Sequence, residues 1–102
     1  MIPVLDTAPD LREHVRQAAR NRRIALGLTQ ADLAGRSGVP LGSLKRFERL
    51  GEVSLSALLA IAEALDAFEG FRALFPLPEA RSLDEVEHQA SLPKRARRRA
   101  RG

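Results

Sequence analysis

A break between two short stretches of helix-forming sequence limits the possible folds of this chain more than any other pattern in it. The first stretch follows Thr29, a residue type that caps helix N-termini, and it extends only to about Arg36 because Ser-Gly-Val-Pro comes next. The second stretch begins at Leu41 and ends before Gly51. Two short helices joined by a tight turn that contains glycine form a unit in which one helix crosses the other steeply. The sequence therefore predicts a helix-turn-helix between Thr29 and Glu48.

Longer helical patterns flank this unit on both sides. Before it, residues 11–28 contain no proline and only one glycine, Gly27, which ends the predicted helix. After it, Ser54 caps a predicted helix over residues 55–67, and residues 68–75 form a short fifth helix that places three phenylalanines on one stripe. No alternating strand pattern competes, so we expect an all-α fold. The apolar faces predicted for the first and fourth helices are Leu11, Val15, Ala18 or Ala19, Ile24 and Leu26, and Leu55, Leu58, Ala62 and Leu65.

The last part of the chain is polar and differs from the rest. Ser82 and Glu85 have the spacing of a capping box, which predicts a short helix to about Ala90. After Pro93 comes the sequence KRARRRARG, which cannot be buried and is expected to be disordered when free. We therefore predict a helical domain at residues 1–76 and a short helical extension with a basic tail at residues 77–102.

The charge is strongly segregated along the chain, although the net charge is only +4. Residues 11–50 carry nine Lys and Arg against three acids, and residues 94–102 carry six bases and no acid. Residues 51–93 carry eight acids against two bases. Localised positive surface is typical of nucleic-acid binding. The acidic block is then most simply a solvated side that faces away from nucleic acid, and a surface for a protein partner is the alternative.

Several classes of function find no support in the residues present. The chain has no cysteine, and His14 and His88 are far apart in sequence, so we expect no disulfide, no metal site and no cofactor. No nucleophile–base pair, glycine-rich phosphate loop or carboxylate dyad stands out, so we do not expect an enzyme. No run of about 18 apolar residues occurs, so we expect no membrane segment and a cytoplasmic, nucleoid-associated protein.

The run RIALGLTQADLAGRSGVPLGSLKRFERLG, residues 23–51, resembles the Cro/CI-type (XRE) helix-turn-helix repressors. That family typically has the pattern R-x-x-x-G-L-T-Q-x-x-L-A-x-x-x-G-V-S, followed by a recognition helix that ends in x-E-x-G. The resemblance covers about residues 11–66 and implies a five-helix, lambda-repressor-like DNA-binding domain. The matching residues are Arg23, Gly27, Leu28, Thr29, Gln30, Leu33, Ala34, Gly38, Val39 and Glu48.

The resemblance also implies roles for single residues. Gln30 would bind a backbone phosphate, and Arg23 would form an inward, structural ion pair with Glu48. Independently of the resemblance, the steep packing of the second helix on the third requires small residues where they approach, and Ala31, Ala34 and Gly35 supply them.

The chain departs from the family pattern at the front of the recognition helix. Pro40, Leu41 and Gly42 replace the Ser or Thr and the Gln that often contact bases there, so an amide contact to adenine is lost. We predict Arg46 as the reader of a guanine, and Lys45 and Arg49 as phosphate ligands. Leu41 either touches a thymine methyl group or packs in the core. The predicted DNA-binding residues are Thr29, Gln30, Leu41, Gly42, Ser43, Lys45, Arg46, Arg49, Lys94, Arg95, Arg97, Arg98, Arg99 and Arg101.

Residues 41–102 are similar to a narrower branch, the HipB-like antitoxins of HipA-type kinase toxin operons. This resemblance implies a homodimer that represses its own operon at a palindromic site in double-stranded DNA and assembles with a HipA-like toxin kinase. The alternatives are a stand-alone or phage-type XRE repressor without a toxin, and a module that acts mainly through protein contacts. For the basic tail, a solvated segment, a DNA clamp and a protein-binding arm all remain open.

Overall fold

The structure, a computed structural model, describes residues 7–79 and 82–95. Within these ranges the chain forms five α-helices and one 3₁₀ helix, and no strand is present. The predicted all-α fold is confirmed. The α-helices are α1 Ala8–Ala25, α2 Gln30–Ser37, α3 Leu41–Leu50, α4 Leu55–Ala64 and α5 Leu83–Ala90, and the 3₁₀ helix Glu69–Ala73 lies between α4 and α5.

Hydroxyl side chains cap most of these helices, at Ser54 and Ser82 as the sequence predicts and at Thr7 in addition. The backbone N–H of Asp10 donates to Thr7 Oγ1 at 3.2 Å at the start of α1, which also has proline in its first turn. Ser54 accepts from the backbone of Ala57 at 3.1 Å at the start of α4. Ser82 does the same for Glu85 at 3.2 Å, and this opens α5 where the capping-box spacing predicts it. Each cap satisfies a helix N–H group that has no partner within the helix.

A single apolar core joins the first four helices. Phe47, Leu33, Leu44, Ile61 and Leu65 are its largest fully buried side chains. Val15 and Ala19 of α1 pack against this cluster from one side. Helix α3 packs on both α1 and α2, and α2 also packs on α4. Burial of each large apolar side chain contributes about 1.5–3 kcal/mol, so the core holds α3 firmly by one face and leaves its opposite face outside.

The predicted apolar face of α1 is only partly correct. Val15 and Ala19 contact the core, but Leu11, Ile24 and Leu26 are each about half exposed. At 100° per residue, Ile24 lies on the side of α1 opposite Val15, and Leu26 follows the end of the helix at Ala25. On α4, Leu55 is likewise exposed, and Ile61 is buried in the core.

The predicted fifth helix, residues 68–75, is a shorter 3₁₀ helix, and its phenylalanines do not share one stripe. Phe68 and Phe71 are half-buried, whereas Phe75 is 95% exposed and has a φ of 56°. A 3₁₀ helix has three residues per turn, so Phe68 and Phe71 lie on the same side. Phe75 follows the end of the helix and is turned outward by its left-handed backbone.

Candidate nucleic-acid interface

The start of α2 is fixed by a reciprocal pair of hydrogen bonds. The backbone N–H of Asp32 donates to Thr29 Oγ1 at 3.0 Å, and the backbone N–H of Thr29 donates to Asp32 Oδ2 at 2.9 Å. This is a capping box with aspartate at the third helical position. The hydrogen bond from the Thr29 backbone lowers the pKa of Asp32, so the carboxylate stays charged near the positive end of α2.

The turn between α2 and α3 depends on a glycine and on one buried apolar residue. Gly38 has a φ of 76°, and its N–H donates to the Ala34 carbonyl at 2.9 Å. Val39, which follows, is buried and anchors the turn in the core, while its N–H donates to Ser37 Oγ at 3.1 Å. Of the three small residues expected to bring the helices together, Ala34 packs against the core, whereas Ala31 and Gly35 are exposed. A Cβ added at Gly35 would meet nothing within 4 Å.

Helix α3 is divided cleanly into an inner and an outer face. Leu44, Phe47 and Glu48 are buried. The side chains of Lys45, Arg46 and Arg49 and the backbone of Gly42 lie on the opposite, exposed face. Gly42 has open space where a side chain would stand, and this allows a partner to approach the helix backbone closely. Ser43 and Leu41 lie at the two edges of this outer face, and Leu41 is 37% exposed.

A buried ion pair holds α3 to α1. Arg23 Nε donates to Glu48 Oε2 at 2.7 Å, and Arg23 Nη2 donates to Glu48 Oε1 at 2.9 Å. The third donor used, Nη1, binds the Leu28 carbonyl at 2.9 Å. Both residues are less than a tenth exposed, and the hydrogen-bonded carboxylate of Glu48 raises the pKa of Arg23. The two residues thus meet inside the protein and join α1 to α3.

Gln30 is connected to this ion pair from the first turn of α2. Its Nε2 donates to Glu48 Oε1 at 3.2 Å, and the side chain is partly buried. One amide hydrogen is therefore used inside the protein, while the amide group has a second N–H donor. The contact ties the orientation of the Gln30 amide to the Arg23–Glu48 pair, and so to the position of α3.

Arg46, the predicted guanine reader, has an acidic partner just beyond α3. Its Nη2 donates to Glu52 Oε2 at 2.5 Å, and both side chains are at least half exposed. The two side chains line a shallow cleft of about 330 Å³ together with Ser43, Val53, Ser54 and Ala57. Glu52 is an exception to the expectation that the acids of residues 51–93 face away from this surface. Its contact with Arg46 crosses the end of a helix, so no helical spacing predicts it.

Part of the basic block at residues 11–50 is used within the protein. Arg16 pairs with Glu13 and donates from Nη1 to the Glu48 carbonyl at 2.7 Å. Arg22 donates to the Leu65 carbonyl from Nε at 2.5 Å and to the Asp66 carbonyl from Nη2 at 2.8 Å, which closes the end of α4. Among the described residues, Lys45 and Arg49 take part in no such internal bond. Lys45 and Arg49 on the outer face of α3 are thus among the exposed basic side chains left for a partner, together with Arg12 and Arg20 of α1 and Arg36 of α2.

The predicted basic tail is described only in part. Lys94 and Arg95 are exposed. Arg97, Arg98, Arg99 and Arg101 lie outside the described residues, as does the expectation of disorder for this segment.

Comparison with known families agrees with this geometry. The family model HTH_3, described as Helix-turn-helix, matches residues 20–67, a segment that runs from the last third of α1 to just beyond α4. Residues 20–67 are thus similar to this helix-turn-helix family. The match indicates a DNA-binding transcription regulator, a class of protein that is typically not enzymatic. No curated protein and no solved structure matches the chain significantly.

Residues 7–79 and 82–95 contain neither a membrane-spanning helix nor a cluster of metal-ligating side chains. No helix in this part of the chain is long and apolar enough to cross a membrane. No group of three or more His, Cys, Asp or Glu side chains within the same ranges is placed to hold a metal ion.

Proposed function

We propose that this protein is a sequence-specific transcriptional repressor that inserts the outer face of α3 into the major groove of its operator. The observation that carries the proposal is the division of α3. Its inner face is fixed by Phe47 and by the Arg23–Glu48 pair, while its outer face presents Lys45, Arg46 and Arg49 around Gly42. A B-DNA major groove admits one α-helix, and arginine contacts guanine through two parallel hydrogen bonds.

The residues on and near α3 then have distinct roles. Arg46 contacts a guanine, and Ser43 and Leu41 at the edges of the outer face contact neighbouring bases. Lys45 and Arg49 bind backbone phosphates, because the ammonium of Lys45 and the guanidinium of Arg49 place positive charge beside the phosphates that line the groove. Thr29 and Gln30 hold another phosphate at the N-terminus of α2, where N–H groups and the helix dipole favour an anion.

The basic tail gives the protein a second contact with DNA in this proposal. Lys94, Arg95, Arg97, Arg98, Arg99 and Arg101 add phosphate contacts or enter an A·T-rich minor groove without reading much sequence. The domain at residues 1–76 and the extension at residues 77–102 would then each bind DNA. The protein would act in the cytoplasm.

The repressor acts as a homodimer on a palindromic site. One recognition helix of ten residues contacts too few base pairs for useful specificity in a genome. Apolar surface that a dimer can bury lies outside the reading face of α3. The exposed residues concerned are Leu74, Phe75, Leu77, Leu83, Val86 and Leu92.

The same surface supports a second candidate function, that of an antitoxin. Residues 41–102 resemble the HipB-like antitoxins, and residues 68–93 combine exposed apolar side chains with an excess of acids. A HipA-like toxin kinase would bind there while α3 stays on DNA. A kinase gene next to the gene of this protein would support the antitoxin role, and a surrounding phage gene cassette would indicate a stand-alone repressor. Loss of a captured kinase on deletion of residues 68–102, with operator binding retained, would separate the two functions.

Selection of binding sites from random duplexes, followed by footprinting, tests the repressor proposal directly. We expect a palindrome whose half-site centres lie about one helical turn apart. Replacement of Lys45 and Arg46 together by alanine is expected to abolish sequence preference with little change in melting temperature, because both side chains are exposed. Uniform, salt-sensitive coating of DNA by the unmodified protein would refute sequence-specific repression.

A further inference from the structure

We propose that Glu52 is a positioning residue that orients Arg46 toward its guanine and so raises the sequence specificity of the protein. The inference rests on the proposed function of α3. It goes beyond that function because Glu52 lies outside α3 and is not among the predicted DNA-binding residues. Glu52 is also an acid, at the edge of a surface that would bind the polyanion DNA.

The hydrogen-bonding geometry leaves Arg46 able to contact a base while it stays bound to Glu52. The contact joins only Nη2 of Arg46 to Oε2 of Glu52. A guanidinium has five N–H donors, and Nη2 has one hydrogen on the Nε side and one on the Nη1 side. Whichever of these hydrogens Glu52 accepts, the other edge keeps two parallel donors. Two parallel donors are what O6 and N7 of guanine require.

Glu52 is itself held in place by the backbone on both sides. Gly51, with a φ of 73°, ends α3 and donates its N–H to the Phe47 carbonyl at 2.7 Å. Ser54, two residues after Glu52, caps α4. The carboxylate therefore stands on a short connection between two fixed helix ends, and it reaches Arg46 across the end of α3.

The consequence for binding differs between a base contact and a phosphate contact. When a flexible long side chain becomes ordered on binding, the lost conformational freedom weakens the affinity by about 2- to 12-fold. Glu52 reduces this loss for a guanine contact, because it orders Arg46 before DNA binds. On DNA of unrelated sequence, Arg46 has to turn toward a phosphate, and the negative charge of Glu52 opposes that movement. Glu52 therefore strengthens the specific complex and weakens non-specific complexes.

The test uses the full chain and three duplexes: the selected operator, the same operator with the Arg46-dependent guanine pair replaced, and a duplex of unrelated sequence. Fluorescence anisotropy over a salt series gives the affinities. In Glu52→Ala we expect the preference for the guanine pair to fall by about 2- to 12-fold, while affinity for unrelated DNA rises. Glu52→Gln keeps an oxygen that accepts from Arg46, so it should retain most of the base preference. Glu69→Ala is the matched control, because Glu69 forms a comparable exposed pair with Arg72 on the 3₁₀ helix.

Three results would overturn the proposed role of Glu52. If Glu52→Ala and Glu52→Gln raise the affinity for all three duplexes by one factor, Glu52 only competes for Arg46 and the inference is wrong. An unchanged preference in both variants, or an unchanged preference in Arg46→Ala, also overturns it. If the unmodified protein selects no sequence at all, the proposed function fails and this inference falls with it.

Discussion

Replacement of Glu48 by methionine would leave the Arg23 guanidinium buried without its carboxylate. Arg23 is 9% exposed and Glu48 is 5% exposed, and two hydrogen bonds of 2.7 and 2.9 Å join them. Removing one partner of such a pair costs about 3–5 kcal/mol, because the remaining charge keeps its desolvation penalty and loses its compensation. A domain of this size has a stability toward the lower end of about 5–15 kcal/mol, so Glu48→Met should remove a large part of it.

The double variant Arg23→Met, Glu48→Met separates this explanation from a simple loss of packing. With both charges gone, two costs remain: the Leu28 carbonyl loses the donor that Arg23 Nη1 supplies at 2.9 Å, and the partly buried Gln30 amide loses its acceptor on Glu48. An acceptor left in this way costs about 1–3 kcal/mol. We therefore expect the double variant to be more stable than Glu48→Met alone.

Urea and thermal unfolding followed by far-ultraviolet circular dichroism measure these differences, since the chain has no Trp or Tyr but is largely helical. Each kcal/mol lowers the melting temperature by about 4–8 °C in a domain of this size. Glu69→Met, at an exposed ion pair, is the control and should change stability by no more than about 1 kcal/mol. The reasoning is refuted if the double variant loses the sum of what the two single variants lose.

Three further outcomes are expected. Gly35→Ala should stabilise the protein by about 0.5–1 kcal/mol, because Gly35 lies inside α2 with open space around it. Gly38→Ala should destabilise the protein by about 1–2 kcal/mol, because Gly38 has a φ of 76°. Urea midpoints in the opposite order would contradict both assignments. Asp32 has a lowered pKa, so its stabilisation is present above its ordinary pKa of 3.8 and disappears as the pH falls through the lower folded value. The stability difference between the unmodified protein and Asp32→Asn should therefore shrink in acid, and a constant difference down to low pH would argue against this origin. Lys45→Ala should reduce the slope of log affinity against log salt by about 0.9 on every duplex, and a loss confined to one sequence would instead indicate base contact.

The helix-turn-helix itself is predictable from sequence because its determinants are local. Thr29 and Asp32 cap α2 through groups three residues apart, and Gly38 supplies a backbone conformation that other residues rarely adopt. The same holds for α5, which starts at its predicted hydroxyl cap. The family pattern adds the Arg23–Glu48 pair, which no local rule gives because the two residues are 25 positions apart.

Predictions from periodicity alone were less accurate near the ends of helices. On α1, Leu26 follows the end of the helix at Ala25, whereas Ile24 lies inside the helix on the side opposite Val15, so the face itself was assigned wrongly there. The phenylalanine stripe assumed an α-helix at residues 68–75, and the shorter 3₁₀ helix moved Phe75 to the surface. A change of helix type or length rotates every later side chain, so small errors in the boundaries become errors in burial.

By itself, the sequence determined that the chain is helical, that a tight turn separates α2 from α3, and that positive charge accumulates near that unit. The tertiary structure decided which positive charges a partner can reach. Arg16 and Arg22 are used by backbone carbonyls, and Arg46 is held by Glu52 across the end of α3. Caps and turns depend on neighbours within a few residues, whereas the partner of a long charged side chain is set by whatever the packed helices bring within about 3 Å of its end.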